Sequence, residues 1–389
     1  MVLAGSASIM STDLYAPSLP YLTDFFGSTP QLLKLTISLN LVIYGFAQLI
    51  YGPISDRFGR RPVFLWSITL YSLASIACAF AQSIDQLLIA RVLQGFFAAA
   101  EAVICLAVFK DLFSERQQAK AFAIYGMSIA LAPAVAPIIG GYIHIYLGWE
   151  FNFYLIALVG ILTAMLIFLL LPESCTPDPQ ALKIKSIYNA YRELLANKIF
   201  MVYAMMAALG LGFIYSFVTA APFILIDYFA VPTQHFGYYQ AVIVAAFFFG
   251  SLLATRLVDS WDPVRVLNLG LCISLFGAAL VVFLVFFGGF SPYTMALANL
   301  FITFGLGPLF AVAPARALAA VDRSAGSAAA MFGSLEIGLS GVIAAMVSVY
   351  HDGTPTPYGV VIGGTALLML LLGLYINRMP AQVSLEPSR

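Results

Sequence analysis

Gly52-Pro53-Ile54-Ser55-Asp56-Arg57-Phe58-Gly59-Arg60-Arg61-Pro62 places four charged residues between two uncharged apolar runs, Leu35 to Tyr51 and Val63 to Ser83. A charged knot between two membrane-length segments reads as a short loop at the membrane surface. Its three arginines put that surface on the cytoplasmic side, because positively charged loops stay inside. Its glycines and prolines suit a tight reversal between helices.

The rest of the chain has the same character. Of 389 residues, 62% are hydrophobic and 9% charged. A soluble domain has about a quarter charged residues, so this chain cannot cover a water-facing surface and reads as a polytopic membrane protein. Zero net charge argues against a nucleic-acid partner. Cys78, Cys105, Cys175 and Cys272 have no metal-ligand spacing and imply no disulfide framework. His144, His235 and His351 fall at loop or helix-end positions, with no neighbouring cysteine or histidine, so neither a metal nor another cofactor is expected. The first apolar segment lacks a basic leader and is expected to be kept as a span.

Spans of about 20 apolar residues can be read off twelve times: 2–23, 34–55, 62–82, 86–110, 118–144, 150–171, 199–227, 236–258, 264–287, 292–316, 325–349 and 357–377. With the N-terminus inside, cytoplasmic loops and segment ends hold sixteen of the eighteen Lys and Arg residues. The exceptions are Lys34, outside, and Arg91, within a span. That asymmetry predicts both termini in the cytoplasm. The longest polar stretch, 172–198, contains Pro172, Pro177 and Pro179 and a charged segment, Leu182 to Asn197, that reads as a surface helix. It divides the chain into a bundle over 1–171, a cytoplasmic linker over 172–198 and a second bundle over 199–389. A faint repeat agrees: Glu115-Arg116 precedes Gly126 by ten residues, as Asp322-Arg323 precedes Gly333.

Charges within hydrocarbon are expensive and are functional candidates by default. Four stand out: Asp13, Arg91, Glu101 and Glu336. Asp13 lies roughly 15 Å from the outer end of its span, with Pro17 and Pro20 just beyond to permit a bend. Arg91 shares a helix face with Gln94, Gly95 and Ala98. It needs an anionic or carbonyl partner, and Asp13 is the natural one; a purely structural anchor is the other reading. Glu101 and Glu336 are candidates for a cationic substrate or a second proton, and equally for packed structural carboxyls. Tyr44, Tyr125, Tyr215 and Tyr239 are candidates for an aromatic substrate pocket suited to amphipathic molecules.

The pattern Gly52-x-x-x-Asp56-Arg57-x-Gly59-Arg60-Arg61 resembles the signature between helices 2 and 3 of the major facilitator superfamily. Ser11-Thr12-Asp13-Leu14-Tyr15-Ala16-Pro17 resembles the first helix of its bicyclomycin/chloramphenicol-resistance branch of drug:proton antiporters. Arg91-Val92-Leu93-Gln94-Gly95 is similar to the superfamily's Arg-x-x-Gln-Gly signature. Ala136-Pro137-Ile138-Ile139-Gly140-Gly141, after Pro133, resembles the antiporter motif Gly-Pro-x-x-Gly-Gly, with Ala136 in place of the first glycine. The resemblance implies an all-α fold, with twelve helices in two pseudo-symmetric six-helix bundles and a substrate site between them near mid-membrane. It implies a monomeric, proton-coupled exporter of amphipathic small molecules in a bacterial inner membrane, working by alternating access and not an enzyme. Asp13 and Arg91 would couple protons. Gly52, Asp56, Arg57, Gly59, Arg60 and Arg61 would latch the cytoplasmic side. Pro133, Pro137, Gly140 and Gly141 would form a hinge and seal, although plain helix packing accounts for them as well. A dedicated transporter of one metabolite, a siderophore exporter or nutrient symporter, shares every motif. A membrane sensor or enzyme on this scaffold would need a soluble domain or a paired nucleophile and base, and the sequence offers neither.

Overall fold

The computed structural model describes residues 1–179, 181–321 and 325–379. The element order is α1 Val2–Asp13, a 3-10 turn Ala16–Ser18, α2 Leu19–Phe25, α3 Pro30–Phe58, α4 Arg60–Ala79, α5 Ile84–Leu112, α6 Glu115–Tyr146 and α7 Glu150–Leu170. It continues with α8 Ile184–Ala196, α9 Lys198–Pro222, a π-helical extension Phe223–Tyr228, a 3-10 turn Thr233–His235, α10 Phe236–Val258, α11 Pro263–Phe287, α12 Pro292–Ala319, α13 Ala325–Val349 and α14 Thr356–Arg378. Among the described residues there is no strand.

Local chemistry sets where the helices begin. The side chain of Thr29 accepts from Leu32 N ahead of Pro30, Asp262 from Val264 N ahead of Pro263, and Ser291 from Thr294 N ahead of Pro292. Each is a short oxygen at the N-cap followed by a proline, whose missing N–H would go unpaired in the first turn anyway. Ser83 and Asn197 cap α5 and α9 through their side-chain oxygens too, without a following proline.

Eleven helices among the described residues are long and apolar enough to cross a membrane. The expected first span, 2–23, is not one of them. It is divided into α1 and α2, with the break immediately after Asp13. Pro17 has no N–H to extend the ladder, and its ring restricts Ala16 before it. A second correction concerns residues 52–62, which form almost no loop. α3 runs through Pro53 to Phe58, α4 starts at Arg60, and Gly59 alone makes the reversal with φ +98°. Asp56 and Arg57 therefore sit in the last turn of a helix.

Buried apolar side chains form two clusters. One draws on α1 to α7 and takes Val218 and Phe223 from α9 and its extension. The other draws on α8 to α14 and takes Ala16 from the break in the first span. The two halves meet along α3 and α13 through small residues. A Cβ on Gly45 would lie 2.4 Å from the backbone nitrogen of Gly338, and one on Gly341 would lie 2.8 Å from that of Val42. Van der Waals contact at this range is what joins helices where lipid is as apolar as the interface. Of the compared repeat, Asp322 and Arg323 lie outside the described residues, as do Gln180 of the linker and 380–389 of the second bundle. The paired glycines differ in setting: Gly126 has nothing within 4 Å of a notional Cβ, whereas Gly333 packs on Gln48.

Candidate functional site

The break in the first span frees backbone groups, and Arg91 takes one of them. Its Nη1 donates to Ser11 O at 3.0 Å, and its Nε donates to Thr36 O at 3.2 Å. Nη1 also meets Gln94 Oε1, and the guanidinium lies 4.8 Å from the Tyr15 ring centroid. Arg91 is fully buried. An unpaired buried ion costs several kcal/mol, so this set of acceptors and the ring face decides whether the site can exist. The expected Asp13–Arg91 pair is not formed: the described ion pairs belong to Arg60, and Arg91 is held by carbonyls. The physical reason is that the helix break exposes Ser11 O to the guanidinium, while Asp13 is bonded to another element.

Further bonds make Arg91 part of a rigid network within the first half. Tyr15 Oη and Thr36 Oγ1 are 2.6 Å apart, Asn40 Nδ2 donates to Arg91 O at 2.7 Å, and Gln94 Nε2 donates to Ser75 Oγ at 2.7 Å. Gly95 permits the approach of α5 to α3, since a Cβ there would sit 2.5 Å from Asn40 O.

Asp13 faces the other half. It is 2% exposed, and its Oδ1 accepts from Gln240 Nε2 of α10 at 2.9 Å. Gln240 is itself buried, and its Oε1 has no hydrogen-bond partner. Tyr215 of α9 lies within electrostatic reach of both Asp13 and Glu336. Tyr44 lies within reach of Tyr215 and Glu101. Glu101 is buried and accepts from Tyr125 Oη at 2.6 Å, against Gly5 of α1. Three expected carboxyls and three of the four expected tyrosines thus form one chain of neighbours across the junction of the halves. Glu336 is only half-buried, on α13. Tyr239 departs from the group: its ring lies tilted toward that of Tyr293 of α12, with centroids 6.5 Å apart. It neighbours Gln240 in sequence, and that places it on a different face of α10.

One end of the junction carries a second polar contact that the sequence did not single out. Lys34, 2% exposed on the first turns of α3, has its Nζ 2.7 Å from His351 Nδ1 and 4.7 Å from the Phe223 ring centroid. Gln31 Nε2 donates to His351 O at 2.8 Å. Asp227 and Asp352 are the acids within reach of Lys34, and Asp24 lies within reach of Asp227. Burial first, and the Lys34 ammonium second, push the His351 ring down from its ordinary 6.5 to about 4. A neutral ring lets Nδ1 accept from the ammonium. Because the folded-state value is depressed, the ring's share of this contact is intact at pH 6.5 and is lost as pH falls toward 4. The expected result is a melting-temperature advantage of wild type over His351→Gln, which keeps an acceptor without titrating. That difference should shrink by a few °C between pH 6.5 and 4. A difference constant over that range would remove the role.

The corner at Gly59 is also tightly bonded. Arg60 meets Asp56 at 2.6 Å, Asp111 at 3.3 Å and Ser55 Oγ at 2.5 Å. Glu173 accepts from Arg60 N at 2.8 Å and Arg61 N at 3.3 Å, so a carboxylate covers the positive N-terminal end of α4. A Cβ on Gly59 would lie 2.5 Å from Glu173 Oε2, so both the φ angle and the space demand glycine. Arg61 Nη2 donates to Phe168 O at 2.7 Å. Apart from Glu173, at the start of the linker, these partners belong to the first half; Gly52 packs near Val103 in the same half.

α6 is continuous through Pro133 and Pro137. Gly140 sits against the break in the first span, where its missing Cβ would lie 1.6 Å from Leu14 O. Gly141 faces the other half, with its notional Cβ 3.1 Å from Thr233 O. Asn152 of α7 donates weakly to Gly140 O and to Ser18 Oγ, both at 3.4 Å. The glycine pair therefore joins the broken span to the lead-in of α10.

Sequence reasoning missed Gln240, Lys34, His351 and Asp227. Lys34 and Asp227 carried a signal, since each is a charge at the edge of an apolar run; Gln240 and His351 carried none that separates them from ordinary polar residues.

The chain also has relatives among known proteins. A model described as Major Facilitator Superfamily matches residues 1–345. A bicyclomycin resistance protein homolog from Haemophilus influenzae is 30% identical, over 92% of this chain and 90% of its own. A chloramphenicol resistance protein from Pseudomonas aeruginosa is 28% identical, over 94% of this chain and 86% of its own. The crystal structure of a D-xylose–proton symporter superposes with a TM-score of 0.73 at 14% identity, covering 95% of both chains, which shows the fold alone.

Proposed function

The chain belongs to the Major Facilitator Superfamily, and from that premise we propose that it exports amphipathic small molecules in exchange for protons. The observation that carries the reading is Asp13: a buried carboxyl at a helix break, bonded to the opposite half, in a chain related to drug-resistance proteins. Alternating access moves one half against the other around a site between them. A carboxyl on that boundary gains or loses a partner at each swing. The tyrosines Tyr44 and Tyr215, with Glu101 and Glu336 nearby, supply aromatic faces and anionic charge for a substrate. Tyr125 is already engaged with Glu101 and holds that carboxyl in place.

The two buried clusters support a division into 1–171 and 199–389 joined by 172–198. The distribution of Lys and Arg supports cytoplasmic termini, which places the Gly59 corner inside and the Lys34–His351 contact outside, and the bacterial relatives support an inner-membrane location. Read that way, Arg60 is the centre of a cytoplasmic latch. Its side-chain partners are all within one half, so it stiffens the ends of α3, α4 and α5 as a unit. The protein acts as a monomer.

The test is reconstitution. Purified protein in vesicles with an imposed pH gradient is expected to move bicyclomycin or chloramphenicol uphill and to carry protons the other way. Uphill movement of a single metabolite, with drugs inert, would replace this reading with that of a dedicated transporter. Transport indifferent to the pH gradient would remove the proton.

A further inference from the structure

We propose that Gln240 is the positioning partner of Asp13 across the two halves: its amide stays bonded to that carboxyl in both protonation states and sets the pH at which the proton leaves. The inference rests on the reading of Asp13 as the proton site. Three observations carry it. The two side chains come from opposite halves, 227 residues apart, and meet at 2.9 Å in a buried position. Gln240 Oε1 is buried with no partner. Arg91, the charge expected to serve Asp13, turns Nε and Nη1 to Thr36 O, Ser11 O and Gln94, and its buried Nη2 has no hydrogen-bond partner, so it makes no bond to Asp13.

An amide offers two donors on nitrogen and an acceptor on oxygen. To an ionised Asp13, Gln240 presents Nε2–H, and that bond favours the charged form in a place where burial alone would forbid it. To a protonated Asp13, the free Oε1 accepts the carboxyl O–H while Nε2 keeps its bond. No atom of the pair is then orphaned, and α1 and α10 remain joined while the proton arrives or departs. When the halves separate, the carboxyl loses the amide and gains water. The proton affinity of Asp13 therefore depends on conformation, the property a proton-driven cycle needs. The other ionisable groups facing the pair are Tyr215 of α9 and, behind it, Glu336 of α13.

The experiment titrates the protein itself, with the proton as the only probe. The carboxyl C=O band of the full chain in lipid is followed by infrared difference spectroscopy from pH 4 to 10, and the Asp13 contribution is assigned by its absence in Asp13→Asn. In Gln240→Leu the ionised form loses its donor, so the midpoint is expected to rise by at least one pH unit, a tenfold gain in proton affinity. Gln240→Glu provides a second route should the Leu variant misfold: two carboxyls sharing a site titrate in two steps, and the upper midpoint is pushed up because the second charge meets the first. A folded variant whose midpoint is unmoved overturns the inference, since a merely structural glutamine would leave it there. Failure of the underlying reading is seen separately, as an Asp13→Asn protein that still exchanges protons for substrate.

Discussion

Asp13→Asn is expected to abolish transport driven by a pH gradient while leaving substrate binding intact. The carboxyl is 2% exposed and lies at the end of α1, where Leu14 and Tyr15 leave the helix. Asn has the same shape and still accepts from Gln240 through its own oxygen, so the junction of α1 and α10 keeps its bond. What is lost is the exchangeable proton. A transporter without it can still carry substrate downhill, since the binding proposed for Tyr44, Tyr215, Glu101 and Glu336 does not use that proton. Uphill accumulation should fall at least a hundredfold, to the level of vesicles without a gradient, equivalent to about 2.7 kcal/mol of lost coupling. The measurement is substrate-induced proton release in detergent, paired with accumulation in vesicles. A variant that still releases protons and pumps uphill makes Asp13 structural and moves the coupling to Glu101 or Glu336.

The helices were legible because each long apolar run has its own punctuation. The reading of 150–171 became Glu150–Leu170, and that of 236–258 became Phe236–Val258. Charge density misled at one place: Arg57, Arg60 and Arg61 suggested a loop, yet one glycine suffices when Glu173 and Asp111 neutralise the corner. Partnering was less legible than position. Asp13 and Arg91 were singled out as buried charges, and both are, but complementary sign suggested a pair that the backbone prevents. A freed carbonyl is invisible in a sequence, because it exists only once the helix breaks. Gln240 was illegible for a different reason. A lone polar residue in an apolar span acquires meaning only through the unit it meets, 227 residues away.

Gly140→Ala is expected to be the most damaging single methyl in the chain. The resemblance marked Gly140 and Gly141 together, but their surroundings differ. At Gly141 a Cβ would stand 3.1 Å from Thr233 O, which a shift of a few tenths of an ångström relieves. At Gly140 it would stand 1.6 Å from Leu14 O, a backbone atom that no side-chain rotation can move. Leu14 is buried and follows Asp13 directly, so any displacement of this carbonyl drags the Asp13 carboxyl with it. The added methyl must push α6 off the broken span, and the Asn152 bonds to Gly140 O and Ser18 Oγ go with it. Overpacking of this kind costs about 1–3 kcal/mol, occasionally more. The outcome expected is a protein a few °C less stable and with transport reduced more than tenfold. The control lies on the same helix. Gly126 has nothing within 4 Å of a Cβ, so Gly126→Ala should melt no lower than wild type and gain up to about 1 kcal/mol from helix propensity. Thermal melts of the two variants with matched transport assays decide the matter. If Gly140→Ala transports and melts like Gly126→Ala, the close approach of α6 to Leu14 is not what holds the break in place, and the glycine pair reverts to ordinary packing.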